Sequence, residues 1–428
     1  MLDIKLVREH PEIVKENLRK RGDVEKLAWV DELSETDRNW RDGKKQVEQL
    51  RHRRNVLSEK IAEMKRKGED VSKEIKETQR IPDEIKKIEK EMQTFEEKTR
   101  YILMRLPNIL HSSVPMGKDD SENVEIKRWG KAKAHGFKPK SHIDLMTDLD
   151  LLDLDRAAKV SGARFYYLKN EAVLLELALE RFALDFLRTK GFTLIEPPFM
   201  IKREPYEGVT SLADFEDTLY KVEGEDLYLI ATAEHPLGAM FMNEVLPAEK
   251  LPFRCAGISP CFRKEAGAHG KDTKGIFRVH QFYKAEQFVF CKPEDSWSLH
   301  EELLANAEEI YQKLDIPYRV VNICTGDIGT VAAKKYDIEG WMPAQNTFRE
   351  LVSCSNCTDY QARRLNIRYK EKTGEKSELV HTLNSTAIAT TRTLVAIFEN
   401  YQQEDGSINI PKALTPYTEQ LEEIRKKN

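Results

Sequence analysis

Cysteine is scarce in this chain, with Cys255, Cys261, Cys291, Cys324, Cys354 and Cys357 the only ones in 428 residues. So few thiols exclude a disulfide framework and point to a reducing compartment. Long apolar runs are lacking as well: no stretch approaches the roughly 20 apolar residues of a membrane span. Residues 1–25 mix acids and bases around no apolar block, so neither a secretory signal nor a transit peptide is expected there. A charge excess is missing too, because 69 basic and 73 acidic residues leave a formal charge of -4. The chain is no polycation, and any nucleic-acid contact must use a local basic patch. A soluble, cytoplasmic protein without membrane contact is expected.

Proline and glycine are missing locally. From Leu27 to Lys67 there is no proline, and Gly43 is the only glycine. Val47, Leu50, Leu57, Ile61 and Met64 fall three and four apart, with Arg54 in the seam. After a turn at Lys67-Gly68-Glu69-Asp70 the spacing resumes through Thr78, Ile81, Ile85, Ile88, Met92, Phe95, Thr99 and Ile102. Two such runs joined by a tight turn predict an antiparallel coiled-coil hairpin, roughly 60 Å long at 1.5 Å per residue. Pro82 should kink the second helix or mark its start. From Arg41 to Lys67 ten basic residues, Arg51, Arg53 and Arg54 among them, stand against four acids. That excess fits a solvated coil or a phosphate-backbone clamp. Residues 1–25 read as a lead-in with one helix ending near Gly22. The expected division is a helical N-terminal domain over 1–106, a linker rich in Pro, Gly, Ser and Lys over 107–140, and a mixed helix-and-strand domain over 141–428.

Three segments of the last domain carry chemistry. A helix around Leu174–Thr189 leads through Gly191 into a strand that ends at Pro197-Pro198, which suits a sheet edge or a subunit boundary. Next, Cys261–Glu265 and Ile276–Phe288 read as antiparallel strands around a long loop, with Arg263 and Glu265 on one face and Glu286 on the return. An arginine beside carboxylates, with Arg278 and Phe282 near, suits an anionic ligand bearing an ammonium and a flat ring. Finally, His381–Arg392 runs through small residues into an apolar helix with Arg392 at its start. An arginine there adds to the positive helix terminus, which makes sense opposite a polyphosphate, though a lone arginine is often innocent. Cys354 and Cys357 are spaced for zinc, but no second Cys-x-x-Cys exists, so structural thiols and no zinc are expected.

In order and spacing these segments resemble the signature motifs of class II aminoacyl-tRNA synthetases. Thr232-Ala233-Glu234, the run Phe277–Gln287 and Glu350–Cys357 are most similar to the seryl-tRNA synthetase family, which also carries an N-terminal helical hairpin. The resemblance implies an α+β fold, with an antiparallel β-sheet catalytic domain flanked by helices. It implies activation of L-serine with ATP and Mg²⁺, then transfer to the 3′-terminal adenosine of tRNA(Ser), with tRNA(Sec) open as a second acceptor. By position, Arg263 would bridge serine carboxylate and α-phosphate, Glu265 would hold the adenine end, and Lys264 between them would also contact ATP. Arg278 would touch phosphate, Phe282 would stack on adenine, and the backbone near Val279 would contact the nucleotide. Glu350 and Ser353, with Leu351 and Val352 between them, would hold ATP through Mg²⁺, and Arg392 would grip the terminal phosphate. Thr232, Ala233, Glu234, Glu286, Asn384 and Thr386 would line the serine pocket. Pro198 would lie at a homodimer interface, and the arm would bind tRNA through Arg51, Arg53 and Arg54.

Overall fold

The computed structural model describes residues 1–132, 135–212, 216–265, 274–372 and 374–427, in two compact units, Met1–Ile109 and Leu110–Asn428. The first unit opens with two helices where one was expected, α1 (Ile4–Glu9) and α2 (Pro11–Lys20). His10 separates them, and Pro11 starts α2, where its missing N–H costs nothing. Val7, Val14 and Leu18 are buried with Val30 and Leu33 of the long helix α3 (Leu27–Lys67). Asp37 of α3 holds the guanidinium groups of Arg8, at 2.8 Å, and Arg41, at 2.9 Å.

Helix α3 stops at Gly68, which takes the left-handed conformation at φ 74°. Helix α4 (Ser72–Leu103) returns alongside it. Val47, Ile81 and Ile85 form the buried seam, with Leu50, Leu57, Ile88 and Met92 packed against it. Gly43 admits the opposite helix closely, because a Cβ there would meet Met92 Cγ at 2.8 Å. Pro82 does not delimit α4, which begins ten residues earlier and runs on as one helix through the proline.

In the second unit, eight strands build the main sheet: β1 (Val124–Trp129), β2 (Thr193–Ile195), β3 (Phe253–Phe262), β4 (Gln281–Cys291), β5 (Tyr318–Asn322), β6 (Lys334–Met342), β7 (Thr347–Thr358) and β8 (His381–Ala389). Their order is β1-β5-β6-β7-β8-β4-β3-β2, antiparallel throughout except for the β2–β3 pair. The stretch read as a linker therefore contributes an edge strand, β1. Composition hid it because Val124 and Ile126 alternate with charged residues and stay exposed.

Helices α5 (Glu171–Thr189), α7 (Ser296–Lys313) and α8 (Thr390–Tyr401) contribute to the larger core cluster. In β4 from Ala285 onward, Ala285, Val289 and Cys291 join that cluster, as Phe282 does before them, whereas Phe288 and Phe290 join a second one with Tyr206, Tyr228 and Leu237. This period-two alternation leaves Glu286 on the Phe288 side of the strand. Leu237 belongs to the short helix α6 (Glu234–Ala239). No helix among the described residues is long and apolar enough to cross a membrane.

Candidate active site

Strands β4, β7 and β8, the residue that follows β3, the segment 328–332 and the starts of α6 and α8 surround a cavity of about 320 Å³. Its walls include Thr232, Glu234, Arg263, Phe282, Glu286, Glu350, Leu351, Ser353, Asn384, Thr386 and Arg392. These lie far apart in sequence, and sheet order brings them together.

Register explains how. Glu286 on β4 stands opposite Thr386 on β8 and Gly257 on β3. Gly257 has to lack a side chain, because a Cβ there would come within 2.9 Å of the Ala233 Cβ. Ala233 is thereby spent on packing and is fully buried, while Thr232 and Glu234 reach the cavity. On β7 the pairing shifts, with Ile338 opposite Val352 and Glu339 opposite Glu350, so Leu351 is an extra residue. In a regular strand Glu350 and Ser353 would face opposite sides, and the bulge brings both to the cavity. Val352 turns into the core instead.

The polar groups form linked sets. Glu234 Oε1 accepts from Asn384 Nδ2 at 3.1 Å and from Gln361 Nε2 at 3.3 Å. Glu286 Oε2 pairs with the Lys284 ammonium and faces Thr386 Oγ1 at 3.5 Å. Burial, aided by Glu286, pushes the Glu234 carboxyl up to about 7, and burial raises Glu286 too. The Arg263 guanidinium lies 5.1 Å over the Phe282 ring, and its Nε donates to Ala231 O at 3.3 Å. Arg392, third residue of α8, donates to Glu350 O at 3.1 Å and pairs with Glu350 Oε1 at 3.2 Å. Arg392 holds the Glu350 carboxyl well below the usual carboxylate range, although that side chain keeps 47% exposure. Two cations lie over the Phe277 ring, Arg349 at 4.2 Å and Arg392 at 5.0 Å from its centre.

Some expected residues sit elsewhere. Strand β3 ends at Phe262, so Arg263 and Glu265 do not share a strand face, and Glu265 adopts φ 50°. Glu265 lines an adjoining cavity of about 350 Å³ that shares Thr232, Glu234 and Arg263 with the first. Arg278 donates to Glu265 at 2.9 Å and lines a further cavity of about 640 Å³, which shares Glu350 and Arg392. Val279 is buried, and Lys264 lies 5.8 Å over the Tyr220 ring, so neither lines the central cavity. Residues 266–273 of the connecting loop lie outside the described residues. Pro198 follows β2 and is exposed. Cys354 and Cys357 are both buried, the first beside His300 O and the second accepting from Asn384.

Sequence reasoning missed Lys284, Gln361 and His235. Lys284 was legible as the strand neighbour two before Glu286 on the same face. Gln361 carried no signal, since it acts from another helix. His235 is pushed down to about 3 by burial, with Lys284 and Arg263 nearby, and is a neutral wall.

An antiparallel sheet that gathers an arginine from a strand end and another from a helix start over one polar cavity defines the core of a class II aminoacyl-tRNA synthetase. A family model for the tRNA synthetase class II core domain (G, H, P, S and T) matches residues 218–401. One for the seryl-tRNA synthetase N-terminal domain matches residues 1–110. The serine–tRNA ligase of Methanocella arvoryzae is 59% identical, over 99% of this chain and 100% of its own. The crystal structure of seryl-tRNA synthetase from Pyrococcus horikoshii complexed with ATP has a TM-score of 0.98 at 56% identity, covering 100% of both chains. The cytoplasmic serine–tRNA ligase of Naegleria fowleri, in complex with AMP, has a TM-score of 0.91 at 38% identity, covering 100% of this chain and 99% of its own. The chain belongs to the seryl-tRNA synthetase family.

Proposed function

We propose that the cavity joins L-serine to ATP as seryl-adenylate, releasing pyrophosphate, and that the seryl group then passes to the 3′-terminal adenosine of tRNA(Ser). One observation carries the site assignment: Arg263, Glu234, Glu286, Asn384, Thr386, Glu350 and Arg392 all meet in the same cavity. The serine carboxylate is ionised at neutral pH and needs no general base to attack the α-phosphorus. The barrier is repulsion between two anions and their misalignment. Arg263 answers the first at the junction of serine and α-phosphate, and Arg392 answers it at the far phosphates. Phe282 offers its ring to adenine, Arg278 pairs with phosphate, and Glu265 and the Val279 backbone hold the nucleotide's base end. Glu234 takes the serine ammonium, while Glu286 and Thr386 take the hydroxyl.

Glu350 and Ser353 are hard oxygen donors on one cavity face, with Asp337 opposite Ser353 on β6, a set that fits Mg²⁺ rather than a softer metal. Bound there, Mg²⁺ would neutralise phosphate charge. In the transfer step the adenylate phosphate itself accepts the proton of the ribose hydroxyl. The reading includes a cytoplasmic homodimer with Pro198 at its interface, a tRNA-binding arm, and tRNA(Sec) as a second acceptor.

ATP–pyrophosphate exchange with each of the twenty amino acids tests it. Serine alone should support exchange, and Glu286→Ala should reduce it by at least about a hundredfold, as for a lost pocket acceptor. Normal exchange in that variant would remove Glu286 from the pocket.

A further inference from the structure

Lys284 has no part in the scheme above, yet its ammonium is buried in the same cavity. Strand alternation puts Phe282, Lys284 and Glu286 on one face of β4, and all three line the cavity. The Lys284 side chain keeps 8% exposure and that of Glu286 1%, and the two are paired. Small neighbours leave room for this pair: Lys284 stands opposite Ser259 on β3 and Ala389 on β8. Burial works against the charge of Glu286 and of Glu234, and Lys284 opposes that effect at both.

A buried carboxylate without a cation would favour an ammonium over a hydroxyl, because an ion pair in a low dielectric exceeds a hydrogen bond in which only the acceptor is charged. L-2,3-Diaminopropionate matches serine in shape and carries, in place of the hydroxyl, an amine that a bare carboxylate would hold as ammonium. We propose that Lys284 is a specificity-determining residue of the amino-acid pocket: by neutralising Glu286 it lets the site accept a side-chain hydroxyl and reject a side-chain ammonium. This rests on Glu286 facing the substrate side chain.

The test is pyrophosphate exchange by the full chain with serine and with 2,3-diaminopropionate. Lys284→Met should lower kcat/KM for serine and raise the diaminopropionate-to-serine ratio by at least about tenfold, the scale of one unit of charge preference. A loss of packing alone would lower both substrates and leave the ratio where it was, and that outcome overturns the inference. In Lys284→Met/Glu286→Gln the bare carboxylate is gone, and the ratio should return towards the wild-type value. Should Lys284→Met activate neither amino acid, calorimetric binding of the two free amino acids reads the same ratio. Tighter diaminopropionate binding then supports the inference and an unchanged ratio defeats it. Glu286→Gln alone separates the two levels. If serine activation is indifferent to it, the pocket reading fails; if activation drops while the Lys284→Met ratio stays fixed, only the role of Lys284 fails.

Discussion

Glu234 is a carboxyl group whose surroundings oppose its charge, while its proposed task requires that charge. Burial and Glu286 raise it from 4.5 to about 7, and Asn384 and Gln361 donate to one of its oxygens. Between those two pH values the folded chain keeps a proton that the unfolded chain has released. Its contribution to stability is therefore full below pH 4.5 and is lost as the pH rises through 7. Serine binding has the opposite sign, because the α-ammonium needs the ionised form. Below about pH 7, kcat/KM for serine in pyrophosphate exchange should fall, its logarithm approaching a slope of about one per pH unit. Glu234→Gln should lower kcat/KM and abolish that slope. A slope that persists in the variant would move the titration to another group, with Glu286 next in line.

At the scale of elements, regular patterns were legible and interruptions were not. The heptad spacing located α3 and α4 because a coiled-coil seam is a local property of sequence. Glu286 was legible for the same reason, its strand alternating every second residue. The bulge at Leu351 was not: nothing in Glu350-Leu351-Val352-Ser353 announces an extra residue, yet it alone brings Glu350 and Ser353 to one side. Strand β1 was hidden because an exposed edge strand carries little apolar signal. The arm's basic residues were countable, but their partners were not. Arg51 pairs with Glu89 at 2.8 Å and Arg53 pairs with Glu77, both across the hairpin, so part of the basic excess is answered within the arm. Truncating either would remove an exposed ion pair of the arm as well as any phosphate contact. Arg54 is exposed in the seam's register, and no such cross-hairpin pair complicates its removal among the ion pairs of the described residues. Arg54→Ala should weaken tRNA binding about evenly across tRNA(Ser) sequences and reduce the salt slope by about one. Filter binding from low to moderate salt reads both quantities. Pyrophosphate exchange, which needs no tRNA, should stay as in the parent, and an unaltered salt slope would take Arg54 out of the tRNA-binding surface.

For the whole molecule, the second unit presents apolar groups that a lone chain gains nothing by exposing. Val173, Leu174 and Leu177 on α5 are 38%, 44% and 56% exposed, and Leu194 on β2 and Met200 just beyond Pro198 are 41% and 47% exposed. They come from the helix and strand of one segment, 173–200, and α5 packs on β2. Exposed apolar groups of this kind suit an interface, and in the proposed homodimer a second copy of the chain would cover them. In a two-fold dimer each substitution acts on both sides of the contact. Burying a leucine contributes about 2 kcal/mol, so Leu177→Glu, felt in both protomers, should cost at least about 4 kcal/mol of association, close to a thousandfold in Kd. Sedimentation at micromolar concentration should find the parent chain as a dimer and the variant as a monomer with unchanged helix content. The variant's exchange activity then tells whether one cavity is complete by itself. Helix α5 also reaches the site, since Glu176 accepts from Thr390, the first residue of α8, at 2.7 Å. Loosening the α5 face should therefore disturb the start of the helix that carries Arg392, and the isolated protomer should lose activity more in its response to ATP than to serine. A monomer with the parent's kinetic constants for both would confine the apolar face to assembly.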